Sequence, residues 1–199
     1  MIKLVILDLD GTLVDLCDVH YYALNEALEF YHFAPISYLV HLAHFNGLPT
    51  KKKLDLLKID GDAKQWINDK KQELTWKAIK DHIKYDQSKS EIIHNLKKSN
   101  IKLACYSNSI RNTIVAALRE CCIFEHFDLI LSNEDVASPK PNPEGYVQIM
   151  KHFGMEPWET LIVEDSPVGI QAARESNANV LEVLNPKELT WSRIEGFIK

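Results

Sequence analysis

Five short apolar runs, at residues 2–7, 101–106, 128–131, 160–163 and 179–183, most constrain how this chain folds. Each reads as a strand buried on both faces, because apolar and polar residues do not alternate within it. Helical patterns at 88–99, 110–121, 142–153 and 167–177 intervene, and a last one falls near 187–198. The pattern at 142–153 puts Tyr146, Ile149, Met150 and Phe153 on one face, with Asn142 as cap and Pro143 at the first position. Ser166-Pro167 repeats that start signal. Strands alternating with helices predict the α/β class, a parallel sheet covered on both faces.

Residues 16–85 break the rhythm with helical spacing and no strand pattern. Val19, Ala23, Ala27 and Tyr31 recur every four residues, as do Trp66, Lys70, Leu74 and Ala78. Gly47-Leu48-Pro49 and Asp60-Gly61-Asp62 punctuate the stretch. The expectation is an all-helical unit at 16–85 inserted into a core of 1–15 and 86–199. Such a unit would form a small lid, hinged near 12–16 and 84–88.

Charge and cysteine usage narrow the class of function. A formal charge of −5 and a pI near 5.9 give no basic face for nucleic acid. No apolar run approaches the length of a membrane span. The opening run is too short for a signal peptide's apolar region and ends on two aspartates, so a cytoplasmic address is expected. Cys17, Cys105, Cys121 and Cys122 show no metal-ligand spacing and read as small packing residues in a reducing compartment.

The chemistry lies where the apolar runs stop. Lys3-Leu4-Val5-Ile6-Leu7 stops on Asp8-Leu9-Asp10-Gly11-Thr12, whose carboxylates share one side if the strand stays extended. Ile101–Tyr106 stops on Ser107-Asn108-Ser109, and Thr160–Val163 stops on Glu164-Asp165-Ser166. Ser138-Pro139-Lys140-Pro141 follows the 128–131 run. A parallel sheet gathers Asp8, Asp10, Ser107, Lys140 and Asp165 along the edge where ligands of such sheets bind. Each alone reads as a turn or helix cap; the conjunction carries the inference.

Asp8, Asp10, Glu164 and Asp165 in one cleft would repel by about 4 kcal/mol per pair at 4 Å and an effective dielectric near 20. Lys140 does not offset several such terms. A divalent cation does, and hard oxygen ligands suit Mg²⁺. With it seated, the Ser107 hydroxyl, the amides that follow and Lys140 suit a phosphate. One carboxylate can then attack phosphorus to give an acyl phosphate that water later cleaves. A second protonates the leaving oxygen and afterwards activates the water, which makes Asp8 and Asp10 the candidate pair.

On Asp8-Leu9-Asp10-Gly11-Thr12-Leu13-Val14-Asp15, Ser107-Asn108, Ser138-Pro139-Lys140-Pro141 and Val163-Glu164-Asp165-Ser166-Pro167-Val168-Gly169, the chain resembles the haloacid-dehalogenase superfamily of phosphotransferases. The likeness covers nearly the whole chain. It implies a Rossmann-like core with a helical cap inserted after the first strand. It implies Asp8 as nucleophile and Asp10 as general acid/base. Mg²⁺ is implied to bind the Asp8 side chain, the Asp10 backbone carbonyl and Asp165, with Glu164 as a further ligand or behind them. Ser107, with Asn108 beside it, and Lys140 are implied to grip the phosphoryl group. Dehalogenases of the superfamily lack the second aspartate of the first motif, so Asp10 argues for phosphoryl transfer.

Within the superfamily the chain looks like the phosphoglycolate phosphatase and β-phosphoglucomutase group, through Glu164-Asp165-Ser166 and Gly169. His20 falls at the mutase's cap-hinge histidine and Lys77 at its cap lysine for a second phosphate; both are also ordinary surface or hinge types. Thr50 stands where the group has an arginine, followed by Lys51-Lys52-Lys53, a candidate replacement or a solvated face. Thr12, where the mutase has valine, is similar to the phosphatases. The expectation is a Mg²⁺-dependent phosphatase of a small phosphomonoester, of phosphosugar or phosphoglycolate type. The alternatives are a phosphomutase and a non-catalytic phospho-ligand-binding protein on the same scaffold. A monomer is the default, with no nucleic-acid or membrane partner. Asp15, beside the hinge, reads equally as a helix cap or a flap contact.

Overall fold

A computed structural model describes residues 1–46 and 48–198. The five apolar runs form β1 (Leu4–Leu7), β2 (Lys102–Tyr106), β3 (Leu129–Leu131), β4 (Thr160–Glu164) and β5 (Asn179–Glu182). They make one parallel sheet in the order β3-β2-β1-β4-β5. β1 is central and wholly buried, which is why its sequence is an unbroken apolar run. Its last residue, Leu7, lies beside Cys105 of β2 and Val163 of β4. Three strand ends thereby meet at one edge.

The helices are α1 (Cys17–Phe30), α2 (Tyr38–Val40), α3 (Thr50–Leu56), α4 (Gly61–His82), α5 (Gln87–Lys98), α6 (Arg111–Glu120), α7 (Glu144–Phe153), α8 (Pro167–Glu175) and α9 (Trp191–Ile198). α2 runs into a π-helical turn, His41–Phe45. Gly47, in the predicted turn Gly47-Leu48-Pro49, and Lys199 lie outside the described residues. α7 starts one residue later than the sequence suggests: Pro143 precedes it, and Asn142 Oδ1 accepts from the Glu144 N–H at 3.0 Å. α8 starts as expected, with Ser166 Oγ accepting from the Gly169 N–H at 3.1 Å. Leu4, Ile6, Ala104, Tyr106 and Ile162 of the sheet pack with Tyr146 and Ile149 of α7 and Ala172 and Ala173 of α8.

The chain divides into two compact units, Met1–Asp15 with Lys84–Lys199, and Leu16–Ile83. The first holds the sheet. The second is helical, with no strand among its described residues, and is built on α1 packed against α4. α4 buries Ile67, Lys71, Leu74, Thr75, Ala78 and Ile79. The row Trp66, Lys70, Leu74, Ala78, read as helical, lies within α4, and only its second half is buried. Trp66 is 53% exposed, and Lys70 pairs with Glu73. Steps of four overshoot a 3.6-residue turn by about 40° each, so a strict four-step row walks off the buried face.

None of the cysteines forms a disulfide; Cys105 is buried in β2, Cys121 is buried after α6 and Cys122 is exposed. No helix among the described residues is long and apolar enough to cross a membrane.

Candidate active site

Asp8 follows Leu7 directly, and its N–H donates to the Val163 carbonyl at 3.1 Å, locking it beside the end of β4. The carboxylates of Asp8, Glu164 and Asp165 offer oxygens that all lie within 4.8 Å of one another. Asp8 and Glu164 are buried and Asp165 is half-buried. From the loop after β3, Lys140 Nζ donates to Asp8 Oδ1 at 2.6 Å, to the Tyr106 carbonyl at 2.9 Å and to Glu164 Oε1. All three ammonium protons are thereby used.

Three carboxylates against this one ammonium leave two negative charges uncompensated when all are ionised. Burial, then Glu164, raises Asp8 well above the carboxylate range, and the same two causes push Asp165 up to about 6. Burial opposes the Lys140 charge, but Asp8 and Glu164 outweigh it and hold its pKa above the usual value. Hard oxygen donors carrying surplus charge are a donor set that fits a divalent cation.

Glu164, expected among the metal ligands, has its oxygens engaged already. Oε1 accepts from the Tyr146 hydroxyl at 2.8 Å and from Lys140. Oε2 accepts from the N–H groups of Asp165 at 3.0 Å and Ser166 at 3.3 Å, and from the Ser166 hydroxyl at 3.3 Å. Gly169 sits so close that a Cβ there would overlap the Glu164 carboxylate. Across the site, Thr12 Oγ1 donates to Asp165 Oδ1 at 3.2 Å. Gly11, at φ +87°, leaves room for that carboxylate where any Cβ would collide with it.

Asp10 is half-buried and stands outside the three-carboxylate group. β1 ends at Leu7 and the chain turns at once, with the Gly11 N–H on the Val14 carbonyl at 2.7 Å and the Leu13 and Val14 N–H groups on the Leu9 carbonyl. The side-to-side alternation of an extended strand does not carry past that turn. Ser107 is buried, and its Oγ accepts from the Ser109 N–H at 3.1 Å. Asn108 grips the Lys140 backbone in both directions, Nδ2 on its carbonyl and Oδ1 on its N–H, each at 3.0 Å. Asn108 thereby braces the Lys140 loop. Spacing reads Tyr146 only as core; a buried tyrosine hydroxyl needs a partner, and that was the available signal for its bond to Glu164.

In the helical unit, α4 turns Lys77 to solvent, its side chain 64% exposed and paired with Glu26 at 3.3 Å. The lysine that α4 buries is Lys71. Lys71 Nζ lies 3.4 Å from Nδ1 of His20. Burial, then Lys71, Lys53 and His41, lowers His20 well below the imidazole range. His41 is buried on the π-helical turn, and burial followed by Lys53 pushes it down to about 4. Of the run Lys51-Lys52-Lys53, only Lys53 is buried. The interior of this unit thus brings together two histidines and two lysines.

Residues 5–183 match the haloacid dehalogenase-like hydrolase family. The phosphorylated carbohydrates phosphatase of Thermotoga maritima is 25% identical over 173 residues, spanning 85% of this chain and 79% of that protein. Protein CbbY of Rhodobacter capsulatus is 28% identical over 203 residues, spanning 95% and 87%. The crystal structure of β-phosphoglucomutase from Clostridium difficile superposes with a TM-score of 0.80 at 20% identity, over 99% of this chain and 97% of that one, a likeness of fold.

Proposed function

This chain belongs to the haloacid dehalogenase-like hydrolases, and we propose that within that family it is a Mg²⁺-dependent phosphatase of small phosphomonoesters. The observation that carries the reading is the group Asp8, Glu164 and Asp165 with Lys140 bonded to Asp8. Asp8 and Asp165 would hold the Mg²⁺ with the Asp10 backbone carbonyl, Glu164 standing behind them with its oxygens engaged. When bound, the ion supplies positive charge that neutralises and orients the phosphoryl oxygens.

Asp8 attacks phosphorus through its carboxylate, and the bond from phosphorus to the leaving oxygen breaks. Asp10 gives that oxygen its proton, then takes one from the water that attacks the aspartyl phosphate. The bond from phosphorus to Asp8 breaks, releasing phosphate and restoring the carboxylate. Lys140 fixes Asp8 Oδ1, which orients the carboxylate for attack. The Ser107 hydroxyl and nearby N–H donors hold a phosphoryl oxygen. Within the helical unit, His20, His41, Lys53 and Lys71 suit an anionic or hydroxyl-rich group. The names of the relatives favour a phosphorylated sugar.

Hydrolysis of p-nitrophenyl phosphate tests the assignment. Asp8→Asn keeps an oxygen for Lys140 and is expected to fold, by circular dichroism, yet to lose turnover. A chelator should abolish wild-type activity and Mg²⁺ restore it. Near-wild-type activity in Asp8→Asn removes the nucleophile, and chelator-insensitive hydrolysis removes the metal. Incubation with a sugar 1-phosphate separates hydrolysis, which liberates inorganic phosphate, from a mutase, which yields the 6-phosphate.

A further inference from the structure

Lys140 spends its three protons on Asp8, Glu164 and the Tyr106 carbonyl, yet two aromatic rings also wall in its ammonium. Nζ lies over the Tyr106 ring, 4.8 Å from its centroid, and over the Tyr146 ring, 5.2 Å from its centroid. The rings meet edge to face at 88°, with centroids 5.0 Å apart. Both tyrosines are fully buried. Ring faces carry the negative end of the aromatic quadrupole, and they attract a cation most strongly where water is excluded.

The hydroxyls separate the two roles. Tyr146 donates to Glu164 at 2.8 Å, whereas the Tyr106 hydroxyl, also buried, bonds neither carboxylate and has the Lys140 backbone N–H as its polar neighbour. The part of Tyr106 that faces the Lys140 ammonium is its ring. Gly145, in the first turn of α7, makes the space. A Cβ there would overlap the outer carbons of the Tyr106 ring. Tyr106 ends β2 and Gly145 lies on a later helix, so the two are fitted to each other across the core.

We propose that Tyr106 and Tyr146 form an aromatic clamp that positions the Lys140 ammonium against Asp8, with Gly145 as the gap that admits the Tyr106 ring. They are positioning residues, acting through Lys140, and their consequence for turnover rests on the phosphatase reading above. Lysine is a point charge on a flexible stem. Without the rings, water reaches the ammonium and competes for its protons, and Asp8 loses its fixed orientation.

Tyr106→Leu, Tyr106→Phe and Gly145→Ala, assayed on p-nitrophenyl phosphate with saturating Mg²⁺, test the clamp. Tyr106→Leu and Gly145→Ala should lower kcat about tenfold with KM changed by less than about twofold. Tyr106→Phe keeps the ring and should restore most of the rate lost in Tyr106→Leu. A kcat for Tyr106→Leu within about twofold of wild type, or Tyr106→Phe as slow as Tyr106→Leu, overturns the proposal. A second readout needs no activity: in ¹⁵N-lysine-labelled protein, the Lys140 ammonium protons should carry an upfield ring-current shift. The shift should persist in Tyr106→Phe and shrink in Tyr106→Leu, where the Tyr146 ring remains; an unshifted wild-type signal overturns the clamp. If the wild type hydrolyses no phosphomonoester, the phosphatase reading falls, and this signal alone still decides the clamp.

Discussion

Lys140→Met removes the cation that, among the described residues, is bonded to the buried carboxylates, and its cost follows from charge. Methionine keeps most of the stem's volume and is flexible, so the packing loss is small. What remains is Asp8 and Glu164, both buried, facing each other without the ammonium that joined them. Removing one partner of a buried ion pair costs about 3–5 kcal/mol, because the survivor stays buried and unpaired. Set against a net stability of about 5–15 kcal/mol for an ordinary domain, that is a large share.

The penalty also has a pH signature. Carboxylates stripped of their cation bind protons more tightly in the folded chain than in the unfolded one, so folding is favoured as pH falls. Urea unfolding of wild type and Lys140→Met in chelator, at about pH 7.5 and about pH 5, measures both effects. The expected deficit is about 3–5 kcal/mol at the higher pH and distinctly less at the lower. A deficit below about 1 kcal/mol, or one of equal size at both pH values, refutes the charge-balance reasoning.

Asp165 carries a raised pKa of about 6, so the stability linked to its proton is full below about pH 4 and is lost as pH rises through 6. Thermal unfolding of chelated wild type should therefore lose ground to Asp165→Asn across that window. Asp128 and Asp135, lowered by hydrogen bonds and cationic partners, carry the opposite sign, and the comparison cancels them. Constant or growing wild-type advantage with pH would contradict the shift. Gly169→Ala drives a Cβ into the Glu164 carboxylate and should cost about 1–3 kcal/mol, together with part of kcat; an unchanged melting temperature and rate would show that Glu164 is free to move. Lys77→Ala should leave KM unchanged and stability within about 1 kcal/mol, whereas Lys71→Ala should raise KM. Steady-state kinetics giving the reverse pattern would count against Lys71 as the inward lysine.

The parts of this protein legible in its sequence are those that topology alone determines. A strand buried on both faces has no polar residues to spare, so β1 and β4 announce themselves, and parallel pairing then brings Asp8 beside the end of β4 wherever their side chains point. What escaped depends on direction. Glu164 follows an apolar run as Asp8 does, but its oxygens turn back onto Tyr146 and Ser166, a fact absent from spacing. Asn108 follows Ser107 at the end of β2, and the bonds of its amide to the Lys140 backbone are not visible in that spacing. In α4, a largely polar helix offers few apolar markers of its inner face, so the burial of Lys71 is not readable from the sequence pattern.

Glu164 explains how one lysine serves a cluster of three acids. Five donors surround it: Lys140, the Tyr146 hydroxyl, the Asp165 and Ser166 N–H groups, and the Ser166 hydroxyl. Its charge is met by the protein, most of it by neutral donors that bring no counter-charge of their own. Asp8 shares Lys140 with it, and Asp165 receives the Thr12 hydroxyl at 3.2 Å, a neutral donor. The surplus therefore falls on Asp8 and Asp165, in line with their raised pKa values. Surplus negative charge at two neighbouring carboxylates weakens the bare fold and attracts a divalent cation for the same electrostatic reason. Relieving it by mutation to asparagine would stabilise the chain and forfeit the attraction, so stability and cation binding should move in opposite directions along the series wild type, Asp165→Asn, Asp8→Asn.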